Sequence, residues 1–251
     1  MEAETGIIKA IASTNFSEND SIEIGGFSTV SMMIALDDSI VSPNDKIDVG
    51  IGEYKYSGHT LRDHNFNKGG YGEIAVKQII PFASNIGIAK VIMKGYENNS
   101  QKFINGLNQL GFTNIPKYEN WQKTTLAWLS FGYGVKVTPI QMLEFYNSIA
   151  NGTVKCSPTI LEAIRKMLVD VVNDEAGVGK PAKSEKVLIA GKTGTIQLEE
   201  NKYRVSFCGY FPADNPKYSC IVIIDNPKNS VPSGGVMAGK VLKEIAEGIS
   251  Q

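Results

Sequence analysis

Three apolar segments in the C-terminal third limit the fold of this chain more than any other feature of its sequence. Residues 186–195 are rich in apolar and β-branched side chains, which favours a strand. The next two apolar segments, at 203–211 and 218–225, are separated by the sequence Pro-Ala-Asp-Asn-Pro, which is typical of a turn between antiparallel strands. We therefore expect an antiparallel sheet formed by residues 186–225.

The segments outside this sheet are predicted to be one strand and several helices. Residues 5–13 are short, apolar and rich in isoleucine, which predicts a largely buried N-terminal strand. Thr138 and Ser157 each precede a proline, a pairing that is typical of a helix N-cap and the first helical position. Further helices are expected at about 27–36, 75–95 and 234–249. In the last helix an apolar stripe is expected to pack on the sheet, formed by Met237, Val241, Ile245 and Ile249.

The order of these elements predicts a single α+β domain over residues 1–251. A helical part at roughly 28–172 is inserted between the N-terminal strand and the strands of 186–225, and a final helix occupies 234–249. Polar, glycine-rich stretches are predicted to be surface loops rather than linkers between domains, at 50–72 and 173–185.

Composition argues against several classes of function. The chain has 25 Lys and Arg against 26 Asp and Glu, a net charge of -1, so it lacks the basic surface that nucleic-acid binding requires. No apolar run approaches the roughly 18 residues that a membrane-spanning helix needs. The 3 cysteines and 2 histidines have no metal-ligand spacing, so we expect neither a metal site nor a cofactor.

The candidate functional motif is Lys192-Thr193-Gly194-Thr195, at the end of the first predicted C-terminal strand. It is not a phosphate-binding loop, because the pattern G-x-x-x-x-G-K-T requires glycine where this chain has Lys186. The same K-T-G sequence on a strand is one of three elements in serine acyltransferases that recognise β-lactams, beside S-x-x-K and an S-x-N triplet. A lone K-T-G is a weak signal, so its surroundings decide the interpretation.

Five stretches in the same order surround and include this motif, at 69–74, 82–90, 132–142, 190–197 and 206–215. Together they closely resemble the transpeptidase domain of class B penicillin-binding proteins of the cell-division type, and the Bacteroidetes members in particular. The resemblance is tight over about 66–152 and 186–225, and looser elsewhere. Five collinear stretches are far more specific than any single motif.

The resemblance implies the penicilloyl-serine transferase fold, in which a five-stranded antiparallel sheet with flanking helices meets a helical subdomain at the active site. Family members cross-link peptidoglycan by transferring the acyl group of a stem peptide to a serine and then to an amine. The same serine binds β-lactams covalently. Full-length relatives are anchored at the periplasmic face of the inner membrane, so we expect this chain to be a soluble fragment without the anchor. The implied partners are stem peptides, β-lactams and cell-division proteins.

Two of the three family motifs are degenerate in this sequence. An alignment without gaps on Phe27 puts Gly25 at the serine position of S-x-x-K and Ser28 at its lysine position. No S-x-x-K occurs anywhere in the 251 residues. The serine of the S-x-N triplet falls on Ala83, although its asparagine is kept as Asn85. Only K-T-G-T is intact.

These departures predict a domain that is catalytically impaired and keeps part of its binding site. The substrate-binding residues implied by the resemblance are Asn85, Lys192, Thr193, Gly194 and Thr195. Ser28 is the candidate nucleophile, but Ser31 stands three residues later, where a lysine would be needed. The sequence leaves two alternatives open: residual D,D-transpeptidase or carboxypeptidase activity through Ser28, or a non-catalytic module that binds peptides or serves as a scaffold in cell division.

Overall fold

The computed structural model describes residues 1–14, 17, 19–117, 121–228 and 231–249, which form an α+β arrangement. The α-helices are α1 (Ser28–Asp37), α2 (Asn85–Tyr96), α3 (Ser100–Gln109), α4 (Thr125–Leu129), α5 (Pro139–Asn151), α6 (Pro158–Asn173) and α7 (Lys240–Ile249). The strands are β1 (Lys46–Gly50), β2 (Glu53–Tyr56), β3 (His59–Arg62), β4 (Gly72–Ala75), β5 (Ala190–Glu199), β6 (Lys202–Phe211) and β7 (Tyr218–Asp225). A π-helical turn at Gly235–Gly239 leads into α7.

The C-terminal strands form the predicted antiparallel sheet, in the order β5-β6-β7. Lys192 of β5 pairs with Cys208 of β6, which in turn pairs with Ile221 of β7. The central strand β6 is buried over 204–211, because α5 and the π-helical turn pack against it. The predicted hairpin is confirmed, whereas β5 begins at Ala190, four residues later than predicted.

The predicted N-terminal strand at 5–13 is wrong. Glu2 forms an isolated bridge with Tyr218 of β7, and the chain then turns back, because Gly6 N donates to Glu2 O at 3.0 Å and Glu2 N donates to Ile7 O at 2.9 Å. Residues 5–13 follow an irregular path, with Ile7 exposed. The central sheet of the described residues therefore has three of the five strands that the resemblance implied.

The predicted helix at 75–95 is wrong in its first half. Residues 72–75 form β4, which pairs antiparallel with β1, and a single 3-10 turn follows at Val76–Gln78. Pro81 has no backbone N–H to continue a helix. Helix α2 starts only at Asn85.

The predicted surface loop at 50–72 contains a β-hairpin instead. Strands β2 and β3 pair antiparallel around a turn in which Ser57 and Gly58 both have positive φ angles. Glu53 and Arg62, at the open end of the hairpin, form an ion pair at 2.6 Å. The other predicted loop, 173–185, contains one 3-10 turn at Lys180–Ala182.

The C-terminal helix is present, but its predicted apolar stripe is not the buried one. The apolar side chains of this segment that are fully buried are Ala238, Leu242 and Ala246, whereas Val241, Ile245 and Ile249 are exposed and Met237 is half-buried. The buried stripe keeps the predicted spacing of four residues but lies one position later in the sequence, on small side chains at 238 and 246.

Helix α1 lies at the centre of the helical part. Its residues 29–36 are all buried, and it packs against α2, α3 and α6. A helix that is apolar on every side requires such complete burial. The predicted starts of α5 and α6 are confirmed, because Thr138 Oγ1 accepts from Gln141 N at 3.0 Å and Ser157 Oγ accepts from Ile160 N at 3.4 Å.

Candidate ligand-binding cleft

A cavity of about 730 Å³ opens between the start of α1, the start of α2 and strand β5, and we call it the cleft. Its wall includes every site residue predicted from the sequence and Gly25, which the alignment assigned to the serine position; these residues are Gly25, Ser28, Asn85, Lys192, Thr193, Gly194 and Thr195. The fold therefore brings together residues from three distant segments of the chain.

Gly25, which the sequence alignment on Phe27 assigned to the serine position of S-x-x-K, packs directly against the backbone of β5. A Cβ atom on Gly25 would lie 2.1 Å from Gly194 Cα and 2.9 Å from Gly194 C. Conversely, a Cβ atom on Gly194 would lie 2.3 Å from Gly25 Cα. Side-chain atoms cannot approach backbone this closely, so neither position has room for any side chain. The segment before α1 and strand β5 are therefore in direct backbone contact here.

A third glycine packs on the same point of β5. A Cβ atom on Gly234 would lie 2.4 Å from Gly194 O and 2.6 Å from Ser206 O. The Gly234 N–H donates to Thr195 Oγ1 at 3.2 Å. The buried Ser206 hydroxyl, beside Gly25 and Gly194, has no hydrogen-bond partner among the described residues. Three backbone segments therefore converge on Gly194.

Arg204 of β6 holds the segment that precedes α1. Its guanidinium forms a two-pronged ion pair with Asp225 of β7, at 2.5 and 2.7 Å, and Nη1 donates to Glu23 O at 3.1 Å. Ile22 and Val137 form a β-bridge on the same segment. Since bidentate guanidinium–carboxylate pairs restrict orientation strongly, this arrangement limits how far residues 22–25 can move away from β5.

Ser28, the candidate nucleophile, is the first residue of α1 and is half-buried on the cleft wall. Its hydroxyl has no hydrogen-bond partner in the described part of the chain. One helical turn later, on the same side of α1, stands Ser31, whose buried hydroxyl is also unpaired there. A hydroxyl is a poor base, so helical spacing provides nothing to deprotonate Ser28.

The degenerate triplet forms the sharp entry into α2. Ala83 has a left-handed backbone with φ of 49°, and Ser84 is the N-cap, its Oγ accepting from Gly87 N at 2.9 Å. Ser84 Oγ also donates to Asp63 Oδ2 at 2.6 Å. Asn85 is the first helical residue, and its Nδ2 donates to Arg62 O at 3.4 Å. The asparagine kept from the motif thus borders the cleft at a helix N-terminus.

Lys192 is a buried amine without an acidic partner. Its side chain is on the cleft wall, the residue is 3% exposed, and Nζ lies 3.3 Å from both Thr193 O and Thr193 Oγ1. The structure records no carboxylate within 4.0 Å of this nitrogen among the residues it describes. Burial lowers the pKa of Lys192 to about 7. An anion in the cleft would supply the missing counter-charge.

Sequence reasoning missed three further residues on the cleft wall, Arg62, Asp63 and His64. Arg62 ends the hairpin that was predicted to be a loop, and Asp63 and His64 follow it, so no signal in the sequence placed them here. The pKa of His64 is lowered by burial and, to a lesser extent, by the nearby Lys192 charge. Within the described ranges, no group of three or more His, Cys, Asp or Glu side chains could hold a metal ion.

Comparison with known sequences identifies relatives of the chain. A family model described as penicillin binding protein transpeptidase domain matches residues 27–247. The chain is 25% identical to the probable peptidoglycan D,D-transpeptidase PenA of Neisseria flavescens, over 93% of this chain and 65% of that protein. It is 26% identical to the peptidoglycan D,D-transpeptidase FtsI of Escherichia coli K12, over 87% of this chain and 42% of that protein. The chain therefore spans less than two thirds of the length of these relatives.

Solved structures with the same fold include two from Burkholderia. A crystal structure described as a peptidoglycan glycosyltransferase from Burkholderia ambifaria superposes with a TM-score of 0.86 at 25% identity, covering 99% of this chain and 86% of that one. The apo transpeptidase domain of penicillin-binding protein 3 from Burkholderia pseudomallei superposes with a TM-score of 0.79 at 27% identity, covering 90% and 78%. Among the described helices, none has the length and apolar character needed to cross a membrane.

We expect Gly25→Ala to destabilise the fold, because its methyl group would overlap the backbone of Gly194. Overpacking of this kind costs about 1–3 kcal/mol in the free energy of unfolding, which urea denaturation measures. Gly248→Ala in α7 is the matched control, since a Cβ there meets nothing within 4 Å and alanine favours a helix. Equal stability of the two variants would contradict the close contact.

We expect the free energy of unfolding to rise with pH above about 7 because of Lys192. Its pKa is about 7 in the folded chain and 10.5 ordinarily, so between these values the unfolded chain holds the extra proton and alkaline pH favours folding. Below pH 7 both states are protonated and the contribution is constant. Urea titrations between pH 7 and 9.5 should show a steeper rise for wild type than for Lys192→Met, by on the order of a few kcal/mol. Lys94→Met, at an exposed lysine, is the control and should keep the wild-type slope.

Proposed function

The chain belongs to the penicillin-binding protein transpeptidase family, and we propose that its cleft binds peptidoglycan stem peptides and β-lactams without forming an acyl-enzyme. Its fold is the α+β penicilloyl-serine transferase fold of that family. The observation that supports the proposal is the contact between Gly25 and Gly194, which leaves no room for a side chain at the position that the alignment assigned to the nucleophile.

Recognition of the ligand is assigned to the intact motif and to Asn85. The ammonium of Lys192, with no carboxylate of the chain beside it, attracts the carboxylate of a stem peptide or a β-lactam. The hydroxyl groups of Thr193 and Thr195 add hydrogen bonds, and Thr195 keeps its own proton to donate while accepting from Gly234. Asn85 at the start of α2 offers an amide to the peptide bonds of the ligand.

Acyl transfer needs an attacking oxygen, a base for its proton and electrostatic recognition, and the first two are missing at the family positions. Loss of the nucleophile lowers serine acyl-transfer rates about a million-fold. A serine at position 25 would not restore the oxygen in place, because its Cβ would overlap Gly194. The cleft is therefore proposed to bind and release its ligands unchanged.

An alternative function uses Ser28 as the nucleophile for residual D,D-transpeptidase or carboxypeptidase activity. The observation in its favour is that Ser28 and Lys192 border the same cleft and that the pKa of Lys192 is lowered by burial to about 7. A lysine with such a pKa is partly neutral at physiological pH and can act as a base. The Ser28 oxygen would then attack the ligand carbonyl and its proton would pass to Lys192. Lys192 would return that proton to the departing amine nitrogen as the C–N bond of the ligand breaks.

The proposed setting is peptidoglycan synthesis during cell division. Among the relatives, one is named FtsI and another stage V sporulation protein D of Bacillus subtilis. We propose that this domain acts at the periplasmic face of the inner membrane, as a peptide-binding module or scaffold for cell-division proteins. A domain that binds stem peptides without reacting would present them to partners or compete with active transpeptidases for them.

Intact-mass spectrometry of protein incubated with benzylpenicillin tests the absence of acylation. We expect no stoichiometric covalent adduct, while reversible binding remains measurable by calorimetry. Ser28→Ala is the matched control and should behave as wild type in both measurements. A full-occupancy adduct that maps to Ser28 and disappears in Ser28→Ala would overturn the non-catalytic proposal and establish the alternative.

Reversible binding of benzylpenicillin should weaken as the pH rises above about 7, because only protonated Lys192 attracts the ligand carboxylate. The affinity should fall by about tenfold per pH unit until the pKa of Lys192 in the complex is reached. The lowered pKa of His64 leaves that ring neutral throughout this range. Lys192→Met should bind weakly at every pH, and an unchanged pH profile in that variant would assign the effect to another group.

A further inference from the structure

We propose that Asp63 is a positioning residue that orients Asn85 toward the cleft. The inference rests on the proposed function and deepens it, because Asn85 is one of the groups assigned there to ligand recognition. Asp63 directly follows β3, far from Asn85 in sequence, and belongs to none of the motifs that the sequence analysis identified. It is 1% exposed, which is rare for a carboxylate.

The two oxygens of Asp63 hold the residues on both sides of Asn85. Oδ2 accepts from Ser84 Oγ at 2.6 Å, and Oδ1 accepts from Ile86 N at 3.0 Å. Ser84 Oγ in turn accepts from Gly87 N at 2.9 Å, which closes the N-cap of α2. Asn85 is therefore fixed through its neighbours, although Asp63 itself needs no contact with a ligand.

Asp63 has no cation within ion-pair distance among the residues described, so the helix N-terminus and one hydroxyl must stabilise it. Burial raises the pKa of Asp63, and hydrogen bonds from Ile86, Ser84 and the backbone of Asn85 oppose that rise. The positive end of the helix dipole favours a carboxylate at this place. A buried carboxylate with such partners is fixed in position, because any movement would leave its oxygens unpaired.

The side chain of Asn85 also forms a hydrogen bond to the same end of β3. Its Nδ2 donates to Arg62 O at 3.4 Å, and Arg62 is the residue before Asp63. Asn85 Oδ1 has no hydrogen-bond partner within the described ranges and is free to accept one from a ligand. A side chain that is ordered before binding loses less conformational entropy when it binds, so the Asp63 contacts raise affinity through pre-organisation.

A ligand-free experiment tests the positioning directly. In wild type we expect the side-chain amide nitrogen of Asn85 to give a single ¹⁵N NMR resonance with restricted motion. The resonance is assigned by its loss in Asn85→Ala. In Asp63→Asn the resonance should shift and become mobile on the picosecond-to-nanosecond timescale, because the Ser84 hydroxyl loses its acceptor. An unchanged, equally ordered resonance would overturn the proposal. If Asp63→Asn does not fold, Ser84→Ala removes the 2.6 Å contact together with the N-cap bond from Gly87 N, while Ile86 N keeps its bond to Asp63. The same shift and mobility of the Asn85 resonance are then expected, and their absence would overturn the proposal.

A double-mutant cycle distinguishes positioning from a purely structural role. Affinity for benzylpenicillin should fall about tenfold in Asp63→Asn and in Asn85→Ala, with no further loss in the double variant, because both remove the same contact. Asp45→Asn is the matched control: Asp45 accepts from Ser42 N at 2.9 Å in an exposed turn, and its loss should leave affinity unchanged. If the losses in affinity of the two single variants add up in the double variant, the positioning role of Asp63 is overturned. If wild type does not bind, the proposed function fails, and the NMR result alone decides the role of Asp63.

Discussion

The cleft depends on the backbone contact between Gly25 and Gly194. It joins the segment before α1 to the middle of β5, and the surrounding packing keeps the two backbones from moving apart. Helix α1 is buried on every side, while Arg204 holds the preceding segment through Glu23. Because the contact needs two residues without side chains, it fixes glycine at positions 25 and 194. In the proposed function, the absence of a serine at position 25 is thus part of how the fold is packed.

The charge that the cleft presents to a ligand depends on which of its ionisable side chains already have partners within the chain. Asp63 is turned inward and its oxygens are used by Ser84 and Ile86. Lys192 is buried beside hydroxyl and carbonyl groups only. The remaining attraction is therefore for anions, and burial makes it sensitive to pH near neutrality. In the proposed function, recognition and bond cleavage use different groups, so such a site can bind ligands without reacting with them.

The sequence predicted the parts of the molecule that depend on local patterns. Turn residues set the β6–β7 hairpin, and capping residues followed by proline set the starts of α5 and α6. The role of K-T-G-T was predicted from the family resemblance. Asp63 could not be predicted, because its role arises from a contact 21 residues away in sequence with Ser84. The strand expected at 5–13 failed because a tight turn after Ala3 redirects the chain. The closeness of Gly25 to Gly194 is likewise invisible in any local pattern.

The three glycines that meet at Gly194 also limit which substitutions the domain can accept. A side chain at position 25 would overlap the backbone of Gly194, and one at position 234 would overlap the carbonyl oxygens of Gly194 and Ser206. A mutation of any of these glycine codons would therefore lower stability unless the facing backbone moved as well. We expect sequences that share this packing to keep all three glycines and to vary elsewhere on the cleft wall.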